Sequence, residues 1–494
     1  MSPSSASKGK IESWLRFTSI SPSSPGRDED KVGPVSSLGS PALAVGETGT
    51  DMEKGTETPT GGDEQEQKQL EKWNDPPENK YRYLVVNFAF IILGMNDAAI
   101  GALLPYMETY YDVSYTIVSL VFLAPWGGYL VAAMCNNKVH HHFGQRGVAL
   151  LGPLVQILGY IALSLHPPFA ALPPLLLLPG FGSGLQDSAW NAWVGNMQSA
   201  NELLGFIHGC YGLGATIGPL IATAFVTKGM FPWYYFYYVM LGMAVVELIL
   251  MLKTFWPQTG AVYRAANKQD DGRTTTRTVM RQQIPWIVAF FLLGYVGAEV
   301  SLGGWIVTFM LNVRGAAPFE AGLTVTFFWL GLTIGRVTLG LVTGRIGEKL
   351  AISIYLSLCI ALQLLYWLIP NFIASAIFVA FDGVFLGPLF PAAIVALTKL
   401  LPSDHHVSAI GFAAAFGGGG AAVFPFAIGA IAQSQGVWVL QPVIVAILAS
   451  LLLIWLVLPG GLKPGGLERA RDAKEKPGHR LWAFFLRIRQ SFKR

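Results

Sequence analysis

Ala89-Phe90-Ile91-Ile92-Leu93-Gly94, followed by Ala98, returns two hundred residues later as Ala289-Phe290-Phe291-Leu292-Leu293-Gly294, followed by Ala298. At an offset of 203, Gly180 and Gly184 meet Gly383 and Gly387, and Gly144 meets Gly347. At 206, Gly205-Phe206, Gly212, Gly214 and Pro219 meet Gly411-Phe412, Gly418, Gly420 and Pro425. Small loop insertions account for the drift of six residues. Paired stretches that keep one order along the chain mark an internal duplication.

What is duplicated follows from composition. Apolar residues make up 52% of the chain and charged residues 13%, against about a quarter charged in soluble domains. Lys and Arg gather in the first eighty residues, one central loop and the last thirty residues, with long apolar runs between them. Segments long enough to cross about 30 Å of hydrocarbon lie near 83–106, 116–137, 147–165, 172–197, 205–226 and 232–252, then near 284–311, 318–343, 350–369, 373–400, 407–433 and 437–459. Gly and Pro interrupt several of them, which membrane helices tolerate because neighbouring helices re-satisfy the freed backbone groups.

The expected fold is an all-α integral membrane protein with 12 transmembrane helices in two pseudo-symmetric six-helix bundles, residues 81–256 and 284–460. Residues 1–80, rich in Ser, Pro, Gly, Thr and Glu, read as a disordered tail. Residues 257–283 form a basic central loop, and 461–494 a basic tail. In that tail Trp482, Phe484, Phe485, Ile488 and Phe492 alternate with cations in the manner of a short interfacial helix. The first apolar stretch begins near Tyr83, too late and too long for a cleaved secretory signal.

Cations set the orientation. With the amino terminus cytosolic, the inside loops hold Lys138, Arg146, Lys253, Arg264, Lys268, Arg273, Arg277, Arg281, Arg345, Lys349 and Lys399, and the outside loops keep Lys228 and Arg314. Both termini are then cytosolic by the positive-inside rule, and the plasma membrane is the expected location. Cys135, Cys210 and Cys359 lie far apart in apolar segments without metal-ligand or disulfide spacing. No nucleotide loop, metal cluster or nucleophile triad is visible, so the expectations are no enzyme, no cofactor and no nucleic-acid partner. The lipid bilayer is the partner for the basic face, and a monomer is expected.

Two parallel six-helix halves joined by a basic loop resemble the major facilitator superfamily. Gly340-Leu341-Val342-Thr343-Gly344-Arg345-Ile346-Gly347-Glu348-Lys349 is similar to that family's gating motif between the eighth and ninth helices, with Arg345 expected to cap a neighbouring helix's carboxyl end. The first-half counterpart, which includes Gly144 and Arg146, departs from it: His141 stands where the motif has Asp.

Ionisable groups at mid-membrane are costly unless they face water or a partner, so each is a functional candidate. Asp97, beside Asn96, lies about 22 Å into the first segment by helical rise. Asp187 sits at similar depth on the fourth, in Gly180-Phe181-Gly182-Ser183-Gly184-Leu185-Gln186-Asp187-Ser188-Ala189-Trp190-Asn191. Asn191, four residues on, shares its face, and this carboxylate and amide stripe suits a hydroxyl-rich solute. Glu299, with Trp305 beyond it, offers a central carboxylate from the second half. Arg336 is positioned to snorkel or to neutralise an acid. His208, near Tyr211, reads as a gate or proton relay. Asp382 is a borderline buried charge, and Glu247 is expected to snorkel.

The Gly-x-Gly, acid, two small residues and Asn of 182–191 resemble the fourth helix of the fucose permease branch of proton–sugar symporters. Residues 83–459 also resemble fungal relatives of that branch, including the family named for bypass of stop codon. The resemblance implies that Asp187 binds sugar and couples protons, with Asn191 beside it. Aligning Leu103-Leu104-Pro105 with the branch's own motif puts its proton-carrying Asp on Gly101, one turn past Asp97. The expected function is secondary-active, proton-coupled transport of a small polar solute, a monosaccharide or related compound, by alternating access. The rivals are an uncoupled facilitator or exporter of the same fold, and a non-transporting nutrient sensor.

Overall fold

The computed structural model describes residues 71–266, 280–402, 405–474 and 478. Residues 1–70 of the tail expected at 1–80, residues 267–279 of the central loop and the interfacial helix expected at 481–494 lie outside the described residues, and the first helix begins at Pro77, inside the span expected to be tail. The described residues belong to one compact unit.

Among the described residues twelve helices are long and apolar enough to cross a membrane. They are α1 Pro77–Tyr111, α2 Tyr115–Phe143, α3 Gln145–Ser164, α4 Phe169–Gly195, α5 Glu202–Thr227, α6 Tyr235–Phe255, α7 Gln283–Asn312, α8 Pro318–Ile346, α9 Glu348–Leu368, α10 Phe372–Leu400, α11 Ser408–Gln435 and α12 Val437–Val457. The chain is a multi-pass membrane protein. Leu84, Met134, Leu158, Val246, Leu341, Leu368 and Leu453 are exposed on its outside, where hydrocarbon rather than water is the solvent.

Local chemistry sets the helix bounds. Pro77 opens α1, where its missing N–H costs nothing. Pro388 interrupts α10, whose two parts run Phe372–Leu386 and Leu389–Leu400, because proline cannot supply the helical N–H. Helices α2 and α8 stop at Gly144 and Gly347, with φ of 71° and 90°. That left-handed backbone turns the chain straight into the next helix and favours glycine in both places.

Lipid tails give helices little hydrophobic reason to associate, so close packing of small residues carries the assembly. The repeated glycines sit at those contacts. A Cβ on Gly214 would lie 2.0 Å from the carbonyl oxygen of Ile91, and one on Gly420 would lie 1.9 Å from that of Leu293. The α1–α5 and α7–α11 crossings are therefore the same joint, made twice. The duplication also reaches past the membrane. Short helices Gly260–Ala266 and Gly466–Asp472 follow α6 and α12 at the 206-residue offset, although the first lies in what the sequence presents only as loop.

The two halves meet at the end carrying the α1–α2 and α7–α8 loops. There α1 crosses α7 at Gly101 and Gly303, Thr223 of α5 packs on Gly322 of α8, and Ser119 of α2 packs on Gly429 of α11. Tyr115 is held from both sides of the second half: its backbone N–H donates to Gln433 Oε1 at 2.8 Å, and its hydroxyl accepts from Asn312 Nδ2 at 2.8 Å. Toward the α2–α3 and α8–α9 loops this contact is lost. Side chains added at Gly205, Gly209, Gly340, Gly344 or Gly411 would meet nothing within 4 Å. The halves thus enclose a crevice that is shut at one end and open at the other.

The gating motif is built differently from expectation. Arg345 is exposed and makes no hydrogen bond or ion pair with the described residues. The cap comes from Lys349, whose ammonium donates to the carbonyls of Leu458, Gly460 (3.0 Å) and Leu456 (3.5 Å) at the end of α12. The turn at Gly347 aims the residue two positions later, not the one two positions earlier, at those orphan carbonyls. Arg146, its counterpart at an offset of 203, lies 5.0 Å over the ring of Trp256 beyond the end of α6. Lys399 joins Glu348 at 2.8 Å to Glu468 at 3.1 Å, tying α9, α10 and the last short helix together.

Candidate functional site

At the closed apex of the crevice, one turn from Gly101, the two expected carboxylates stand on neighbouring helices. Asp97 of α1 accepts from the Asn96 amide at 3.1 Å through Oδ1 and from the Tyr211 hydroxyl of α5 at 3.0 Å through Oδ2. Asn96 in turn accepts from Tyr160 of α3 at 3.2 Å. Asp187 of α4 accepts from the Asn191 amide at 2.9 Å. With that amide's N–H committed, its oxygen is left to accept from His208 Nε2 of α5 at 3.1 Å. The ring of His208 packs edge-on to Phe90.

Asp97, Asp187, Asn191, His208 and Tyr211 are all partly exposed, although each sits well inside a helix. Partial exposure at that depth is what an aqueous crevice produces. Asp97 also acts electrostatically on Asp187, so the two acids share one polar wall. Tyr129 of α2 lies among Asp187, Asp97 and Tyr211 and is partly exposed as well. Its place rests on the α2–α4 packing, because its ring lies 3.0 Å from where a Cβ on Gly184 would be. Sequence reading missed Tyr129; the available signal was a phenol near the middle of an apolar segment.

The second half answers with an ion pair. Arg336 Nη2 of α8 lies 2.9 Å from Glu299 Oε1 of α7, and the Arg336 charge acts on His208 and Tyr211 across the crevice. Of the alternatives open to these groups, Arg336 neutralises the acid and Glu299 is paired. The Arg336 side chain keeps 18% of its surface and that of Glu299 keeps 7%, so only the guanidinium has appreciable access to the crevice.

Other expected site residues stand back from it. Gln186 is fully buried and spends its amide on Gln156 of α3 (3.3 Å) and on the Trp190 N–H (3.3 Å). Trp305 is fully buried at the shut end, packed edge-on against Tyr115, with its N–H donated to the Pro425 carbonyl at 2.9 Å. Neither presents surface to a solute in this conformation. Asp382 is buried on α10, away from the crevice, with both carboxyl oxygens unpartnered among the described residues. Glu247 does not snorkel: it is 0% exposed, because α6 turns Met240, Ala244, Glu247 and Met251 inward as one stripe. Among the described residues no three His, Cys, Asp or Glu side chains converge as metal ligands.

Comparison with known proteins places this geometry in a family. Bypass of stop codon protein 6 of Saccharomyces cerevisiae is 30% identical over 419 residues, covering 78% of this chain and 84% of that protein. A glucose/mannose transporter of Bacillus subtilis is 23% identical over 360 residues, covering 70% of this chain and 87% of the transporter. A glucose/galactose transporter of Brucella abortus is 23% identical over 379 residues, covering 72% and 89%. Among solved structures, a bacterial homologue of the human lysosomal transporter Spinster, inward-facing and occupied, matches with a TM-score of 0.58 at 10% identity, over 77% of this chain and 96% of that one. The family model described as Major Facilitator Superfamily matches residues 86–372 and 299–492. Twelve membrane helices in a duplicated arrangement, a crevice open at one end, and these matches have one conclusion: the chain belongs to the Major Facilitator Superfamily.

Proposed function

We propose that the protein moves a monosaccharide or related small polar solute across the membrane by alternating access, driven by protons that load and leave Asp187 and Asp97. The observation that carries this reading is the polar wall at mid-depth, where two carboxyls, an amide, an imidazole and two phenols stand partly exposed on the membrane helices of the first half. Such a wall supplies the acceptors and donors that sugar hydroxyls need. A carboxyl that alternates between neutral and charged there changes both the affinity for a solute and the cost of closing the crevice around it.

Two sugar transporters among the relatives support the substrate class. The motif in α4 supports the narrower placement beside the fucose permease branch. Cations cluster at the open end, so the positive-inside rule makes that end cytosolic, with both termini on the same side. The proposed cycle runs by rocking the halves about the α1–α7 crossing, so that the Tyr115 contacts break as the opposite end shuts.

The test is uptake by full-length protein in proteoliposomes under an imposed pH gradient, with labelled glucose, galactose, mannose, fucose and polyols as probes. One proton per solute supports about tenfold accumulation for each pH unit of gradient. Asp187→Asn should abolish that accumulation. Equal accumulation by wild type and Asp187→Asn would sink the coupling assignment, and uptake that ignores the gradient in both would favour an uncoupled facilitator.

A further inference from the structure

At the open end of the second half, a groove of about 740 Å³ runs between the start of α7 and the end of α12. Ile287 and Phe290 of α7 and Ile454 and Val457 of α12 line it, and Arg281 stands at its rim just ahead of α7. Phe290 is exposed, and so is Leu453, the residue before Ile454, on the outside of the bundle. The groove therefore opens toward hydrocarbon.

Its wall is fixed by Trp286. That residue donates its N–H to the Met280 carbonyl at 2.8 Å, and its ring packs on Phe412 and Phe416 of α11 at centroid distances of 4.9 and 5.6 Å. With the N–H committed, what the indole offers the groove is apolar surface. From Gln283 to Phe290 the helix rises about 10 Å, which carries the groove from the level of Arg281 well into the depth of acyl chains.

The rim has one sign of charge. Arg281 is exposed and makes no hydrogen bond or ion pair with the described residues, and no carboxylate lines the groove. Helix α7 starts beside it without a side-chain cap, so the positive end of its dipole adds to the guanidinium.

We propose that this groove binds one anionic phospholipid of the leaflet at the open end, with the headgroup phosphate on Arg281 and one acyl chain along Ile287, Phe290, Ile454 and Val457. A guanidinium meets a phosphate through two parallel N–H donors, and a basic rim over an apolar slot between membrane helices suits an anionic headgroup. A choline headgroup would bring a second cation beside Arg281, so phosphatidylglycerol is the better fit.

The test counts lipids bound to full-length protein by native mass spectrometry, during titration with dioleoyl phosphatidylglycerol, dioleoyl phosphatidylcholine or dioleoylglycerol. The first phosphatidylglycerol should bind about tenfold more tightly than dioleoylglycerol, which has the same chains without the phosphate, with phosphatidylcholine between them. Arg281→Gln should remove that tenfold advantage, as loss of a hydrogen bond between charged groups requires, and leave dioleoylglycerol binding as it was. Ile454→Trp, which fills the slot, should weaken the first site for all three lipids. Glycerol phosphate, which has no chains, should not compete. Arg281 is exposed, so its variant carries the test if Ile454→Trp does not fold.

The proposal is overturned if Arg281→Gln binds phosphatidylglycerol as tightly as wild type does, or if wild type holds dioleoylglycerol equally well. It is overturned too if glycerol phosphate displaces the lipid, or if a folded Ile454→Trp keeps the first site. A dimer that Ile454→Trp dissociates, with no lipid bound, would assign the groove to a second copy of the chain instead.

Discussion

Arg336 Nη2 stands 2.9 Å from Glu299 Oε1, a pair contributed by α8 and α7 of the second half, with the Arg336 charge acting on His208 and Tyr211 of the first. The pair separates the two kinds of carboxyl in the crevice. Glu299 already has its cation, while Asp97 and Asp187 have only neutral hydrogen-bond donors among the described residues. In the proposed proton-coupled cycle the carboxyls that load and release protons sit in the first half, and the paired charge sits in the second.

Removing one partner of this pair should be far worse than removing both. Arg336→Met strands the Glu299 carboxylate in a nearly dry place, which costs about 3–5 kcal/mol. Arg336→Met with Glu299→Gln leaves no charge behind and should recover most of that loss. Thermal melts of the single and double variants in detergent give the cycle. A double variant no more stable than Arg336→Met alone would show that the pair is not what stabilises this part of the bundle.

At the open end, Lys349 and Arg345 separate by their consequences. Lys349→Ala orphans carbonyls at the end of α12 that its ammonium now satisfies, a loss of about 1–3 kcal/mol. Arg345→Ala touches an exposed side chain and should stay within about 0.5 kcal/mol of wild type. Melting temperatures of the two variants, measured side by side, check this; an equal drop would return the capping role to Arg345.

The duplication, the twelve helices and the paired Asp187 and Asn191 were legible because each depends on spacing along one helix or on hydropathy, both of which sequence carries directly. Arg345 was misread because a loop cation is visible in sequence, whereas the turn at Gly347 that decides which cation reaches a neighbouring helix is not. Trp305 and Gln186 lie on the right helices at about the right depth, but only the rotation of those helices buries them. Tyr129 and Tyr160 gain their meaning from contacts between helices, so no spacing within one segment singles them out. Glu247 was open to detection: Met240, Ala244, Glu247 and Met251 follow a helical period, and that stripe proves to be the buried face.

The shut end offers the most direct check on alternating access. Tyr115 joins the halves through two hydrogen bonds, one to Gln433 and one to Asn312, and closes over Trp305. Each bond contributes about 1 kcal/mol, so Gln433→Ala or Asn312→Ala should raise the population open at this end about fivefold, and both together by more. Thr308, now fully buried there, reports the change if it is made the single cysteine, after Cys135, Cys210 and Cys359 are replaced. Its reaction with a membrane-impermeant maleimide from the Tyr115 side should accelerate by those factors. The crevice should become correspondingly less reactive from the opposite side, because the two openings are alternatives. If both sides gain reactivity together, the substitutions loosen the bundle instead of rocking it, and Tyr115 is packing rather than a latch.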